Sequence, residues 1–131
     1  MQQEFKITFE GELKVRADTG KFLIDTDQDP KSGGEGSAPE PFTLFLASIG
    51  ACAGAYALSF CKHHNIRTDG IYLRQIMHYD EQKKGLSKIE IILHIPDSVP
   101  ERYREALRRS ADLCAVKRVI LQPPEFEVKL G

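Results

Sequence analysis

The residues of this chain best suited to covalent chemistry are its three cysteines, Cys52, Cys61 and Cys114. Their number is odd and their spacings are wide, with no C-x-x-C pair and no matching histidine spacing, which argues against secreted disulfides and against zinc. Buried structural thiol or redox chemistry remains. A cysteine attacks only as thiolate, and at its free pKa of about 8.5 only about 3% is ionised at pH 7. Lowering that pKa to about 6 takes roughly 3.4 kcal/mol of differential stabilisation, whereas burial in an apolar helix pushes it up. A reactive Cys52 therefore needs a cation or strong donors from elsewhere, and without them it is a small core residue. Cys61 follows Cys52 by nine positions, half a turn out of phase, so the two cannot meet on one straight helix and Cys61 is expected to be structural. Cys114 is expected near the C-terminal end of its own helix, where the dipole disfavours a thiolate. It would then be a resolving thiol or the sulfur attacked, and its pairing with Cys52 is geometrically open.

The histidines carry less. His63 and His64 are adjacent and point in different directions on a helix, so they form a polar helix end rather than an i, i+4 metal pair. His78 and His94 fall in strand segments with no third ligand evident, and no metal is expected. The stretch Ser32-Gly33-Gly34-Glu35-Gly36 does not run from a strand into a GK[ST] sequence, so it is not read as a phosphate loop.

The elements that must position these side chains follow from periodicity. Phe5, Ile7 and Phe9 share one face before Gly11, Leu13 and Val15 follow, and Phe22 and Ile24 come after Gly20, which predicts a three-strand antiparallel meander over 4–26. Residues 25–39 concentrate Asp, Gly, Ser and Pro and form a loop. From Pro41 the sequence is apolar nearly all round as far as Lys62, His63 and His64, and such a helix must be surrounded by protein. Its small-residue tract, Ala47 to Ala55, lets another backbone come close, and Gly50 and Gly54 could kink or restart the helix at the cysteine. Residues 70–79 and 87–95 predict a hairpin around Glu81-Gln82-Lys83-Lys84-Gly85. Asp97-Ser98 and Pro100-Glu101 predict an N-cap with an S-x-x-E capping box, opening a second helix that runs to about Lys117. Tyr103, Leu107, Ser110 and Cys114 share one of its faces, and the mixed charges from Glu101 to Arg109 read as its solvated face. After Pro123-Pro124 the alternation Glu125-Phe126-Glu127-Val128-Lys129-Leu130 predicts a final strand. The order β-β-β-α-β-β-α-β makes an α+β domain.

With 131 residues, 41% hydrophobic and 28% charged, the chain fits a single domain over 1–131 that needs neither disulfides nor a structural metal to fold. Eighteen Lys+Arg against nineteen Asp+Glu give a net charge of −1, without the basic excess that nucleic-acid binding normally requires. No run approaches the ~20 consecutive apolar residues of a membrane span, and Met1-Gln2-Gln3-Glu4-Phe5-Lys6 lacks a signal-peptide layout. A cytoplasmic protein with no membrane partner is expected.

The sequence contexts of the cysteines go further. A meander carrying FLIDTD, a Gly-rich loop ending in Pro, the helix PFTLFLASIGACAG, and a second cysteine in ADLCAVKRVI about sixty residues later together resemble the OsmC/Ohr family of osmotically inducible and organic hydroperoxide resistance proteins. The likeness covers almost the whole chain. It implies an intertwined α+β homodimer with two central helices and a thiol peroxidase site near the subunit interface. By the same resemblance Cys52 is the peroxidatic cysteine and Cys114 the resolving one. A thiol or dihydrolipoyl carrier restores the dithiol, and no metal, flavin or haem cofactor is needed. Family peroxidases usually place a glutamate just after the helix-opening proline, where it orients an activating arginine; here Phe42 and Thr43 follow Pro41, and Glu40 precedes it. The resemblance expects the arginine from the meander, where Arg16 is the one available, and Ala115 stands where many members have proline.

The resulting expectation is an antioxidant, stress-response peroxidase acting on organic hydroperoxides. Phe42, Phe45, Ile49 and Tyr56, on or near the helix surface around Cys52, could line an apolar pocket favouring alkyl over hydrogen peroxide, or could be ordinary core. The displaced glutamate motivates an alternative, a non-catalytic dimeric ligand-binding or redox-sensing module. General thiol–disulfide exchange is a third reading.

Overall fold

The computed structural model describes residues 1–82 and 84–131. Lys83, in the expected hairpin turn, lies outside the described residues. The chain divides into two compact units, Met1–Ala47 and Ser48–Gly131, described in turn.

The N-terminal unit is the expected meander, β1 (Lys6–Phe9), β2 (Val15–Asp18) and β3 (Leu23–Thr26), antiparallel in that order. Ala17 faces Ile7 on one side and Ile24 on the other. Gly11, at φ +100°, turns the chain between β1 and β2, a conformation that disfavours a side chain. Between β2 and β3 the Asp18 carboxylate accepts the Gly20 N–H at 2.8 Å and the Thr19 hydroxyl accepts the Phe22 N–H at 2.9 Å. The loop after β3 is organised around Asp27, whose side chain is fully buried. Its carboxylate accepts the Ser37 hydroxyl at 2.6 Å, the Ser37 N–H at 3.0 Å and the Gln28 N–H at 2.7 Å. These donors, the Ser37 hydroxyl foremost, hold the carboxyl down at about 2. A short 3-10 turn at Pro30–Ser32, capped by Asp29, sits within the loop.

The long helix α1 (Pro41–His63) starts in this unit and continues into the second. It runs through Gly50 and Gly54 without interruption, so the break those glycines could have made does not occur. By length and a mean hydropathy of 1.8 it is apolar enough to cross a membrane, which the sequence reading did not assign to it, although only 22% of that stretch is buried within the chain. The full enclosure expected for it is therefore not met by one chain, and Phe42 and Leu58 remain more than half exposed.

The C-terminal unit adds the hairpin β4 (Tyr72–Asp80) and β5 (Gly85–His94), then α2 (Glu101–Asp112) and α3 (Ala115–Leu121). Its core joins Ala53, Ala57 and Cys61 of α1 to Leu107 and Ala111 of α2, bordered by Phe60, Ile71, Leu73, Ile91 and Leu93. The α1 residues recur every four positions, giving a smooth stripe into which Leu107, with no exposed surface, seats its side chain. The Ser110 hydroxyl donates to the Tyr56 carbonyl at 3.0 Å and ties α2 to α1.

Three expectations are corrected here. The capping box does not form: α2 begins after Pro100, which offers no side-chain acceptor, because Val99 turns back to donate its N–H to the Pro96 carbonyl at 3.1 Å. The second helix does not reach Lys117. It ends at Asp112, and the chain takes a non-helical turn at Cys114 (φ −46°, ψ 124°) before α3 begins. The buried Cys114 Sγ lies 3.7 Å from the Ile49 carbonyl, so burial against α1 outweighs continuation of the helix. The final strand is also missing, and Phe126, Val128 and Leu130 stand exposed. Alternation supplies a strand's faces but not the backbone edge it must pair with, and among the described residues no edge takes up this segment. The observed order is β-β-β-α-β-β-α-α, still α+β.

Candidate active site

The break between α2 and α3 builds the site. The first N–H groups of a helix have no partner inside it, and those of α3 begin directly after Cys114. The backbone N–H of Val116 is the largest influence on the Cys52 thiol. Partial burial pushes the other way, and the Cys114 thiol, the Ala115 N–H and the positive charge of Arg118 add to the Val116 effect. The balance holds the Cys52 thiol below its ordinary pKa, in the direction of a thiolate. Cys114 is buried beside it, within hydrogen-bonding reach, and both sulfurs are free thiols. Cys114 thus stands just past the C-terminal end of α2, as expected, and also caps the start of α3, which the dipole argument made from sequence did not include.

Arg118 is held in place from α1. Its Nη2 donates to the Tyr56 hydroxyl at 3.1 Å, and Tyr56 lies four residues after Cys52, on the same side of the helix. Neither Arg118 nor the two amides emerged from sequence reasoning. The available signal was the AVKR run after Cys114, which places Arg118 one turn into a new helix, but no glycine or proline marks the break. Ala115 matters for the same reason: a proline there would have no N–H to give.

The remaining expected residues fall into two groups. Within the C-terminal unit, Cys52, Cys114 and Tyr56 come together, and Ile49 lines a cleft with Cys114. Cys61 is buried in the core and its thiol is pushed up by that burial. The others belong to the N-terminal unit. Arg16 holds Asp25 through Nε at 2.6 Å and Nη2 at 3.3 Å, with Glu10 at 3.8 Å, and its guanidinium keeps the Asp25 carboxyl below the usual range. The Glu40 carbonyl accepts the Leu44 N–H at 3.1 Å at the start of α1. Phe42 and Phe45 stack with ring centroids 5.7 Å apart. Of the histidines, His78 bonds Glu90 at 3.0 Å and His94 stacks on Tyr72 at 4.4 Å.

The fold is that of a known class. The sequence profile described as OsmC-like protein matches residues 34–129, and the chain belongs to that family. The fold is similar to that of a Psychrobacter arcticus protein named for osmotic stress and detoxification response, with TM-score 0.72 and 19% identity over 90% of this chain and 87% of that one. An OsmC-like protein from Mycoplasma pneumoniae follows at TM-score 0.68 and 17% identity, over 94% and 89%. An organic hydroperoxide resistance protein from Legionella pneumophila gives TM-score 0.56 and 21% identity, over 92% and 89%. No curated protein sequence matches significantly.

Proposed function

We propose that this protein is a thiol-dependent peroxidase that reduces organic hydroperoxides. The observation that carries the reading is the environment of Cys52, whose sulfur meets the Val116 and Ala115 amides, the Cys114 thiol and the Arg118 cation together. The Cys52 thiolate attacks the terminal oxygen of the peroxide, the O–O bond breaks, and the departing alkoxide takes a proton to leave as alcohol. Cys52 is then a sulfenic acid. The Cys114 thiol condenses with it, forming the disulfide and releasing water. A dithiol such as a dihydrolipoyl group returns both cysteines to thiols by exchange. Family membership and the hydroperoxide-resistance name of the Legionella relative support the substrate class.

The working form in this proposal is a homodimer in the cytoplasm, where thiols stay reduced. A second copy would cover apolar residues that α1 leaves exposed, Phe42 and Leu58 among them. By the resemblance, Arg16 keeps a proposed role in activating the Cys52 thiol and Glu40 one in orienting that arginine, while Phe42, Phe45, Ile49 and Tyr56 keep a proposed role as apolar lining. A non-catalytic sensing or binding role is the second reading, favoured by Phe42 and Thr43 where family peroxidases carry glutamate and by the engagement of Arg16 with Asp25. The deciding experiment measures consumption of cumene hydroperoxide by the reduced protein with dithiothreitol or dihydrolipoamide, beside Cys52→Ser. Turnover lost in the variant is the expected result, and equal inertness of both proteins would overturn the peroxidase reading.

A further inference from the structure

Breaking the O–O bond of a hydroperoxide leaves an alkoxide that must take a proton, and the groups that act on Cys52 are poor sources of one. Backbone amides keep theirs, and a guanidinium holds its protons to about pH 12 and beyond. The Cys114 thiol is only 2% exposed and donates toward the Ile49 carbonyl at 3.7 Å, so a peroxide does not reach it. Tyr56 differs. Its hydroxyl oxygen accepts a hydrogen bond from Arg118 Nη2 at 3.1 Å. A guanidinium carries donors and no acceptor, so this bond leaves the phenolic proton free for another partner. The main influences on the Cys52 thiol come from other groups.

We propose that Tyr56 is the general acid of the peroxide reaction, its O–H protonating the oxygen that departs when Cys52 attacks. The assignment rests on the peroxidase reading and adds to it the source of the proton. Placement is the first argument. Residues four apart on a helix have Cβ atoms about 5 to 6 Å apart, and helical side chains lean toward the N-terminus, which carries the Tyr56 ring back over the turn that holds Cys52. The guanidinium whose charge acts on the Cys52 sulfur also reaches the Tyr56 oxygen, so sulfur and phenol flank one cation. Both residues are partly exposed and open to a peroxide, and the Ser110 hydroxyl fixes the Tyr56 backbone at 3.0 Å. Driving force is the second argument. An alkoxide is about as basic as hydroxide, whose conjugate acid has a pKa of about 15.7, against about 10 for a phenol. Transfer is favourable by a factor of roughly 10⁵ or more, and Arg118 stands beside the phenolate that forms.

Atoms and electrons balance. The Cys52 thiolate gives an electron pair to the terminal peroxide oxygen, which stays on the sulfur with its hydrogen as the sulfenic acid. The O–O bonding pair goes to the other oxygen, which takes the Tyr56 proton and leaves as alcohol. Sulfur is oxidised by two electrons and the peroxide reduced by two. The negative charge passes from thiolate to phenolate, and water returns the proton to Tyr56.

The test compares two oxidants in single turnovers of the reduced whole protein, parent and Tyr56→Phe, followed by loss of free thiol after rapid quenching. Cumene hydroperoxide expels a basic alkoxide. Peroxybenzoic acid expels a carboxylate, whose conjugate acid has a pKa of about 4 and which needs no proton to leave. The expected result is that the ratio of the cumene hydroperoxide rate to the peroxybenzoic acid rate falls by about tenfold or more in Tyr56→Phe. In the parent protein, the solvent deuterium isotope effect should be larger with cumene hydroperoxide than with peroxybenzoic acid, a reading independent of how the variant folds. If Tyr56 served only to anchor Arg118, its loss would slow both oxidants alike. An unchanged ratio, or equal isotope effects, therefore overturns the assignment and leaves the peroxidase reading standing. A parent protein inert toward both oxidants would sink the peroxidase reading and the assignment with it.

Discussion

Arg118 acts on Cys52 through space and is held by Tyr56, so its charge can be removed without touching either sulfur. With Arg118→Ala the Cys52 pKa rises, and carbamidomethylation near pH 6.5 slows by about 3-fold. Above pH 9 the two rate profiles converge, because both thiols are then ionised; profiles that coincide throughout would remove Arg118 from the site. Ala115→Pro separates donor from fold. Proline is well tolerated at the first position of a helix, so the melting temperature holds or rises, while loss of one N–H shifts the same alkylation profile to higher pH. The pair that the structure brings together, Cys52 and Cys114, was singled out in the sequence by its contexts, and the burial of Cys61 by its helical phase. Arg118 was not, because its closeness to Cys52 depends on a turn that no residue type announces, and an amide donor has no sequence signature at all.

Asp27 shows how one carboxylate organises an entire connection. Its folded-state pKa of about 2 lies below the unfolded value of about 3.9, so the carboxylate stabilises the fold fully above about pH 4 to 5. That contribution is lost as pH falls toward 2. Thermal melts of Asp27→Asn should therefore show a lower melting temperature at pH 6 and a shallower decline between pH 5 and pH 2 than the parent protein, and parallel declines would contradict the assignment. In the same loop a Cβ on Gly34 would collide with the backbone carbonyl of Gln28. Gly34→Ala should cost about 1 to 3 kcal/mol, read by denaturant titration. The meander was legible because glycine and Asx turns punctuate alternating apolar residues. The loop's carboxylate hub was not, since a run of Asp, Gly, Ser and Pro says that a segment turns and not which side chain it turns around. At the other end, a capping-box pattern satisfied a local rule that the turn at Val99 overruled, and the alternating tail pairs with no strand edge among the described residues.

At the scale of the molecule, the C-terminal unit depends on Leu107 seated over the small residues of α1. Leu107→Ala should lower stability by about 2 to 5 kcal/mol, visible as a lower denaturation midpoint with an unchanged slope, and a loss under 1 kcal/mol would mean that the stripe closes over the gap. The apolar surface left on α1 leads to the expectation that sedimentation returns twice the mass of one chain, and a stable single chain at micromolar concentration would remove the homodimer from the proposal. The α+β class follows from periodicity, while the assembly does not, because one chain's periodicity is silent about what a second chain covers. The turn at Cys114 carries a further consequence. The residue that supplies the second sulfur also sets where α3 starts, and the first two amides of α3 are the ones that face Cys52. Once Cys52 has spent its negative charge in a disulfide, those amides no longer face a thiolate. The backbone of Ala115 and Val116 therefore becomes a gauge of the redox state, with slow deuterium uptake in the dithiol and rapid uptake in the disulfide, legible with neither peroxide nor reductant present.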